Sequence, residues 1–396
     1  LHRLAYAAWH VEYGRYAPLH FLRASRALAT IRGWTAAHLP PVAASLLPGA
    51  PEAEVDALTA ALGLPSVHPA VRVVWRLCAG QRLRYDERLA SPGSHPFHES
   101  ALHGLFPAYA VYDHVVSTRL LTLEAAARHT ARCREVHVLP EGSPLVLFAV
   151  RARVMDVAAR ADLCARSILL PQASFNLGKL LFVDTQTADV HVAMRTRSLH
   201  RACPPGDDGL LRWLERYAAE LNAGQFAVDE VEPGAPQTRA IRAFPQLPPL
   251  CSIAVTRGVR VEASATWMAE HSDQTVDAFA YSISFSLLPL DEQQAAGFAP
   301  LQSCQLVSRH WVISDASGQT DEVRGAGVIG EHPLLLPGGP PFRYQSQTPV
   351  RRTAAGRGGS MLGAFTFAPG SLASRTGPDF AAACALFSLA VPDWVY

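Results

Sequence analysis

The chain has 396 residues, more than one ordinary core holds, so two domains are expected. Hydrophobic residues make up 49% and charged residues 17%, a folded rather than a disordered composition. With 35 Lys and Arg against 34 Asp and Glu the net charge is +1, which excludes a long-range field that would gather nucleic acid or anionic lipid. No apolar run reaches about 18 residues and no charged, then apolar leader opens the sequence, so neither membrane spanning nor secretion is expected. The first residue is Leu1 rather than Met, which reads as a fragment or a sequence cut short at its N-terminus.

In chain order, residues 1–38 space Leu4, Trp9, Tyr13, Tyr16, Phe21, Leu22, Leu28 and Trp34 in a loosely helical way, a lead segment expected to pack on a neighbouring domain. A clearer helix follows: Pro51 suits its first position, Glu52 and Glu54 complement the dipole, Val55, Leu58 and Leu62 line one face, and Gly63 stops it. The run His95, Pro96, Phe97, His98, Glu99, Ser100, Ala101, Leu102, His103 nearly matches a zinc-protease helix. There, however, the second histidine must lie four residues after the first, and here that position is Leu102. With Pro92, Gly93 and Pro96 nearby it reads as a surface loop.

Residues 145–150 form a buried-strand pattern, and 179–184 with 189–192 read as two strands joined across Thr185 to Ala188. A second helix after Asp208 puts Leu210, Leu214, Tyr217 and Leu221 on one stripe beside Trp213 and Ala218, and ends at Gly224. This first part is therefore α+β. Residues 225–251, with Pro233, Pro236, Pro245, Pro248 and Pro249, read as a stiff extended linker. Beyond it the period becomes two. Phe279, Tyr281, Ile283, Phe285 and Leu287 alternate with Ala280, Ser282, Ser284 and Ser286, predicting a strand with one buried and one wet face, and Arg257-Gly258 predicts a tight hairpin.

Seven cysteines, at 78, 133, 164, 203, 251, 304 and 384, show no two- to four-residue spacing, so they read as reduced, buried thiols of a cytosolic or nuclear protein. Gly325, Gly327 and Gly330 have dinucleotide-loop spacing. Yet Glu331, His332 and Pro333 follow, then Pro337 to Pro341, which cannot open the helix that such a loop needs, so the glycines read as turns between strands. On one strand Arg309 and His310 would face apart, with Trp311 in the core and Arg309 over its edge; Asp315 and Gly318 make the next turn, and Asp321 and Glu322 also diverge. Arg351-Arg352 reads as a solvated basic pair. No nucleophile with a placed histidine is visible, and neither catalyst, cofactor nor metal is expected.

Two groups of motifs carry family resemblance. Arg309-His310-Trp311, Val323-Arg324-Gly325, Gly330-Glu331-His332-Pro333, Phe342 to Ser346 with Tyr344, and Gly359 to Phe365 with Met361 and Gly363 resemble, in order, the signature of the ApaG domain over residues 252–396. That resemblance implies a fibronectin type III-like β-sandwich and a recognition module whose candidate residues are these together with Gly327. Leu47 to Ala50, the helix to Gly63, Val74 to Gln81, the Phe182-Val183-Asp184 hairpin and the Trp213-Leu214 helix resemble the SUKH superfamily of protein-interaction domains over residues 39–224.

The whole order, with Phe244 to Ser252, Phe367 to Leu372 and Pro392-Asp393, is similar to plant F-box proteins that interact with the Skp adaptor and end in ApaG. The resemblance implies a non-catalytic substrate receptor of a Skp, cullin and F-box ubiquitin ligase, binding target proteins in cytoplasm or nucleus. An F-box itself is not found, and residues 1–38 resemble the segment that follows it, so Skp and cullin would be reached only through an F-box absent from this sequence. The alternative is a stand-alone ApaG-type protein binding a small molecule or anion, linked to divalent-cation homeostasis.

Overall fold

A computed structural model describes residues 18–82, 104–112, 114–151 and 179–396; the histidine run at 95–103, Cys164 and the aromatic residues before position 18 lie outside them. The described residues of Leu1–Ala108, Val116–Ala223 and Asp393–Tyr396 form one compact unit, and those of Tyr109–Val115 and Gly224–Pro392 form a second. Each unit thus includes a short segment separated in sequence from the rest of it.

The first unit is α+β. Its longer helices among the described residues are α1 (Pro18–His38), α2 (Glu52–Ala61), α3 (Pro69–Leu77), α4 (Leu123–Glu135) and α5 (Gly209–Asn222), with a six-residue helix Pro40–Ser45 after α1. Helix α1 is not a separate lead segment: it packs on α3 and α5 through Ala24, Ala27, Leu28 and Ile31. Small side chains let the backbones approach, whereas Leu19 and Leu22 point to solvent. Arg23 fixes the α1–α5 contact by donating to both carboxylate oxygens of Glu215 at 2.8 Å and to Asp208 at 2.8 Å. Helix α2 starts one residue later than the sequence reading, with Pro51 as its cap, and buries Val55 and Leu58.

Two short strands, β1 (Tyr109–Val111) and β2 (His114–Val116), pair with each other. The next five form an antiparallel sheet in sequence order: β3 (Thr118–Leu120), β4 (Leu145–Arg151), β5 (Leu180–Asp184), β6 (Val190–Ala193) and β7 (Leu199–Arg201). Helix α5 buries the stripe expected of it, and Trp213 at its centre donates its indole N–H to the carbonyl of Val395 at 2.8 Å. The Tyr396 ring lies 5.2 Å from Trp213 and 4.8 Å from Tyr217. A buried indole needs an acceptor, and the C-terminal tail supplies it.

The second unit is all-β. Strands β8 (Val228–Glu230) and β9 (Arg239–Ile241) make a small antiparallel pair. Strands β10 (Cys251–Thr256), β11 (Val259–Trp267), β12 (Val276–Leu287), β13 (Cys304–Asp315), β14 (Thr320–Ala326), β15 (Leu334–Leu335), β16 (Phe342–Arg351), β17 (Gly359–Pro369) and β18 (Phe380–Leu389) build two sheets, ordered β10-β11-β12-β16 and β14-β13-β17-β18, with β15 beside β13. The expected hairpin joins β10 to β11, with Arg257 and Gly258 both at positive φ. Between the sheets Phe285 meets Phe365 edge to face at 4.5 Å, and Trp311 meets Phe365 at 5.1 Å and Tyr281 at 5.9 Å. Asp277, fully buried on β12, is held by Arg352 at 2.9 Å, by Arg357 at 2.6 Å and by the Trp267 indole at 3.2 Å. The pair Arg351-Arg352 is therefore not wholly solvated, because Arg352 serves a buried carboxylate.

Two further sequence expectations change here. On β12 the residues between the large ones are covered as well: Ala278, Ala280 and Ser282 are buried. The cover comes from the stretch read as an extended linker and from Tyr109–Val115. Arg242 donates to Ser282 at 2.8 Å, while the Gln345 amide donates to the Val231 carbonyl at 2.6 Å and accepts from the Ala110 N–H at 3.3 Å. Phe244, Ile241 and Ala240 are buried. Proline density restricts this stretch without making it extended, because its apolar residues dock on the sheet.

Candidate recognition surface

The signature residues separate into a scaffold and a presented edge. Trp311, Tyr344 and Met361 are almost fully buried between the sheets, and burial pushes the Tyr344 phenol far above its ordinary value, so it stays neutral. Gly363 on β17 faces the β13 backbone so closely that a Cβ there would lie 2.2 Å from the His310 carbonyl and 2.7 Å from the Trp311 ring. These four residues set the spacing of the sandwich and do not form a reactive cluster.

Arg309 and His310 diverge as expected, though Arg309 covers Gly325 rather than the edge of Trp311. Its guanidinium donates to the carbonyls of Ala326 at 3.1 Å and Gly327 at 2.7 Å, occupying the space a side chain at 325 would need. On the opposite face His310 meets Glu322 at 2.9 Å and Arg324 meets the same carboxylate at 3.0 Å. Those contacts, Arg324 before His310, hold the Glu322 carboxyl below its ordinary value. Glu322 and Arg324 are exposed and His310 is partly so; the three side chains pair with one another at the surface.

The glycine loop is a tight turn. Val328 and Glu331 exchange backbone hydrogen bonds of 2.9 and 2.8 Å around Ile329 and Gly330, both at positive φ. Gly327 donates to Val307 at 3.0 Å, the His332 ring contacts the Leu306 carbonyl at 2.9 Å, and Leu306 donates to Pro333 at 3.1 Å. The N–H groups of Gly327, Val328 and Glu331 are spent on these bonds, and Glu331, His332 and Pro333 lead into β15 rather than into a helix.

This anchored loop presents apolar side chains that the sequence reading did not single out. Ile329 is 50% exposed at its tip with φ of +45°, a conformation a β-branched residue rarely adopts, and Leu334 and Leu336 follow at 48% and 55% exposure. In sequence they resemble any strand-forming residues; only the turn geometry turns them outward. A second concavity lies on the outer face of the first sheet, lined by Arg242, Arg343, Glu262, Ser264, Ser282 and Ser284. Its cations already have partners, since Arg343 binds Asp229 at 2.7 Å and Arg242 binds Ser282.

Six cysteines among the described residues are free thiols. Burial raises Cys133 to about 11 and both Cys304 and Cys384 to about 12, which keeps them protonated and unreactive. Among the described residues no helix is long and apolar enough to cross a membrane.

With that geometry in place, residues 268–369 match the family profile of the ApaG domain. The chain is 29% identical to F-box protein SKIP16 of Arabidopsis thaliana, over 99% of this chain and 84% of that protein. It is 37% identical to Protein ApaG of Xanthobacter autotrophicus, over 35% of this chain and 93% of that protein, and 40% identical to Protein ApaG of Pseudomonas aeruginosa, over 34% and 91%.

Proposed function

We propose that this chain, which belongs to the ApaG family through its C-terminal sandwich, is a target-binding subunit of a Skp, cullin and F-box ubiquitin ligase. The observation that carries the reading is similarity to an F-box protein along nearly the whole chain, not along the ApaG domain alone. In this reading the first unit is SUKH-like and the second fibronectin type III-like. Both units hold protein partners, and Skp and cullin are engaged through an F-box rather than through either unit. The surface assigned to the target is the β13–β14 edge with the Ile329 loop, because a strained apolar residue held on a fully anchored turn is pre-organised for contact. The chain acts by binding in cytoplasm or nucleus and carries no chemistry of its own. A stand-alone anion-binding role is less favoured, since Arg242 and Arg343 are already paired.

The test is affinity purification of the full chain and of an Ile329→Asn variant, with captured proteins then offered to a reconstituted ligase. Asparagine tolerates positive φ, so the variant is expected to fold at least as stably yet lose capture and ubiquitin transfer. Unchanged capture would remove the loop from the target surface; captured proteins that are never modified would remove the ligase role.

A further inference from the structure

Away from the β13–β14 edge, three ligand-bearing side chains meet in the second unit. His114 comes from β2, and Glu270 and His271 come from the short turn Ala269–His271 between β11 and β12. Their ligand atoms all lie within 4.8 Å of one another, with His114 Nε2 at 3.1 Å from Glu270 Oε1. Neighbouring corners of a tetrahedral zinc site are about 3.3 Å apart, so the His114–Glu270 pair is already at coordination distance and the other separations, at most 4.8 Å, lie close to it. The two imidazoles meet edge to face, 4.4 Å between centroids.

Hydrogen bonds of neighbouring described residues hold the carriers of these groups. The turn that holds Glu270 and His271 is pinned by Ser272, which donates to the Met268 carbonyl at 2.7 Å and accepts from Ala278 at 2.9 Å. The segment that holds His114 is pinned by Tyr112 against Ser346 at 2.9 Å and by Ala110 against Gln345. Tyr109 donates to Glu270 Oε1, an outer hydrogen bond of the kind that orients a ligating carboxylate. The Glu270 side chain is 4% exposed and that of His114 12%, so a cation would enter a partly dry, pre-formed cradle.

We propose that His114, Glu270 and His271 bind a divalent transition metal of the zinc, cobalt and nickel class. Two imidazoles and one carboxylate suit these ions, whereas calcium and magnesium require mostly oxygen ligands. No short motif announces the site, because Val116–Ala223 of the first unit, among other residues, separates His114 from the other two. The site goes beyond the target-binding role and does not depend on it. Its effect would be to clamp Tyr109–Val115 to the rest of its unit, which stabilises that unit by mass action.

The test uses the full chain, stripped with a chelator and then titrated with cobalt while its visible absorption is followed, and with zinc by calorimetry. One equivalent is expected to bind with a cobalt spectrum of nitrogen and oxygen ligation and a raised melting temperature. His271→Ala and His114→Ala are expected to abolish both, while His38→Ala, at an exposed histidine elsewhere, leaves them unchanged. Tyr109→Phe is expected to weaken binding about tenfold through loss of the outer hydrogen bond. Should His114→Ala fail to fold, His271→Ala decides alone. Absence of saturable binding, or binding undiminished in His271→Ala, would show that the cluster is only an ion pair.

Discussion

Gly363 lies against the β13 backbone, and its missing side chain is what allows that approach. Three glycines of the second unit should therefore differ in cost. Gly363→Ala drives a Cβ into backbone and is expected to destabilise by about 3 kcal/mol or more, beyond ordinary overpacking. Gly327→Ala meets both positive φ and the Glu331 carbonyl at 2.3 Å and should follow. Gly330→Ala meets open space and should cost only about 1 kcal/mol for its φ. Urea titration of the three variants gives the order, and a Gly330 variant worse than Gly363 would break it. Asp277→Ala strands Arg352 and Arg357 beside a lost carboxylate and is expected to cost about 3–5 kcal/mol by the same measurement. Trp311 was legible in the sequence because an aromatic at an inward position of a strand has one natural place. Asp277 was not, because an aspartate and two distant arginines look like surface charge until the strands bring them together.

Among the elements, those with strong periodicity were the legible ones: α2, α5, β4, β5 and β6 lie within a residue or two of where their patterns put them, and β12 ends where its pattern does but starts three residues earlier, at Val276. What the pattern on β12 could not say is that its small-residue face is dry, since alternation records side-chain size and polarity and not which distant segment lies on top. The same holds for the site, where ordering along β13 was readable but the exposure of Ile329, Leu334 and Leu336 needed the turn. Histidines give the first unit's elements a pH response. Burial lowers His68 at the cap of α3, His129 on α4 and His191 on β6 from the ordinary value of 6.5. Between 6.5 and those lower folded values the unfolded chain binds more protons, so stability is full above that window and falls as pH drops through it. Urea midpoints measured between about pH 7.5 and about pH 5.5 are expected to decline, and His129→Gln should flatten the decline. A midpoint that rises on acidification would refute the assignment.

At the scale of the molecule, the two units do not correspond to two uninterrupted stretches of chain. A piece beginning at residue 246 lacks β8, β9 and Tyr109–Val115, and so leaves Ala280, Ser282 and Gln345 bare on the outer sheet face. It is expected to fold as a sandwich but to melt well below the intact second unit, which calorimetry on both would show. Equal melting temperatures would mean the cover contributes nothing. Tyr396→Ala removes an aromatic ring packed on Trp213 and Tyr217 and should cost the first unit about 3–5 kcal/mol. Hydrogen exchange locates the damage: protection should fall along α5 and hold along β13. Since a ribosome makes residues in order, Asp393–Tyr396 emerge only after the whole of the second unit. The N-terminal unit therefore waits, with the Trp213 indole unsatisfied, while the later one can already close. Residues made last thus complete the core of the unit made first, and the burial of Trp213 depends on a stretch of chain about 180 residues away.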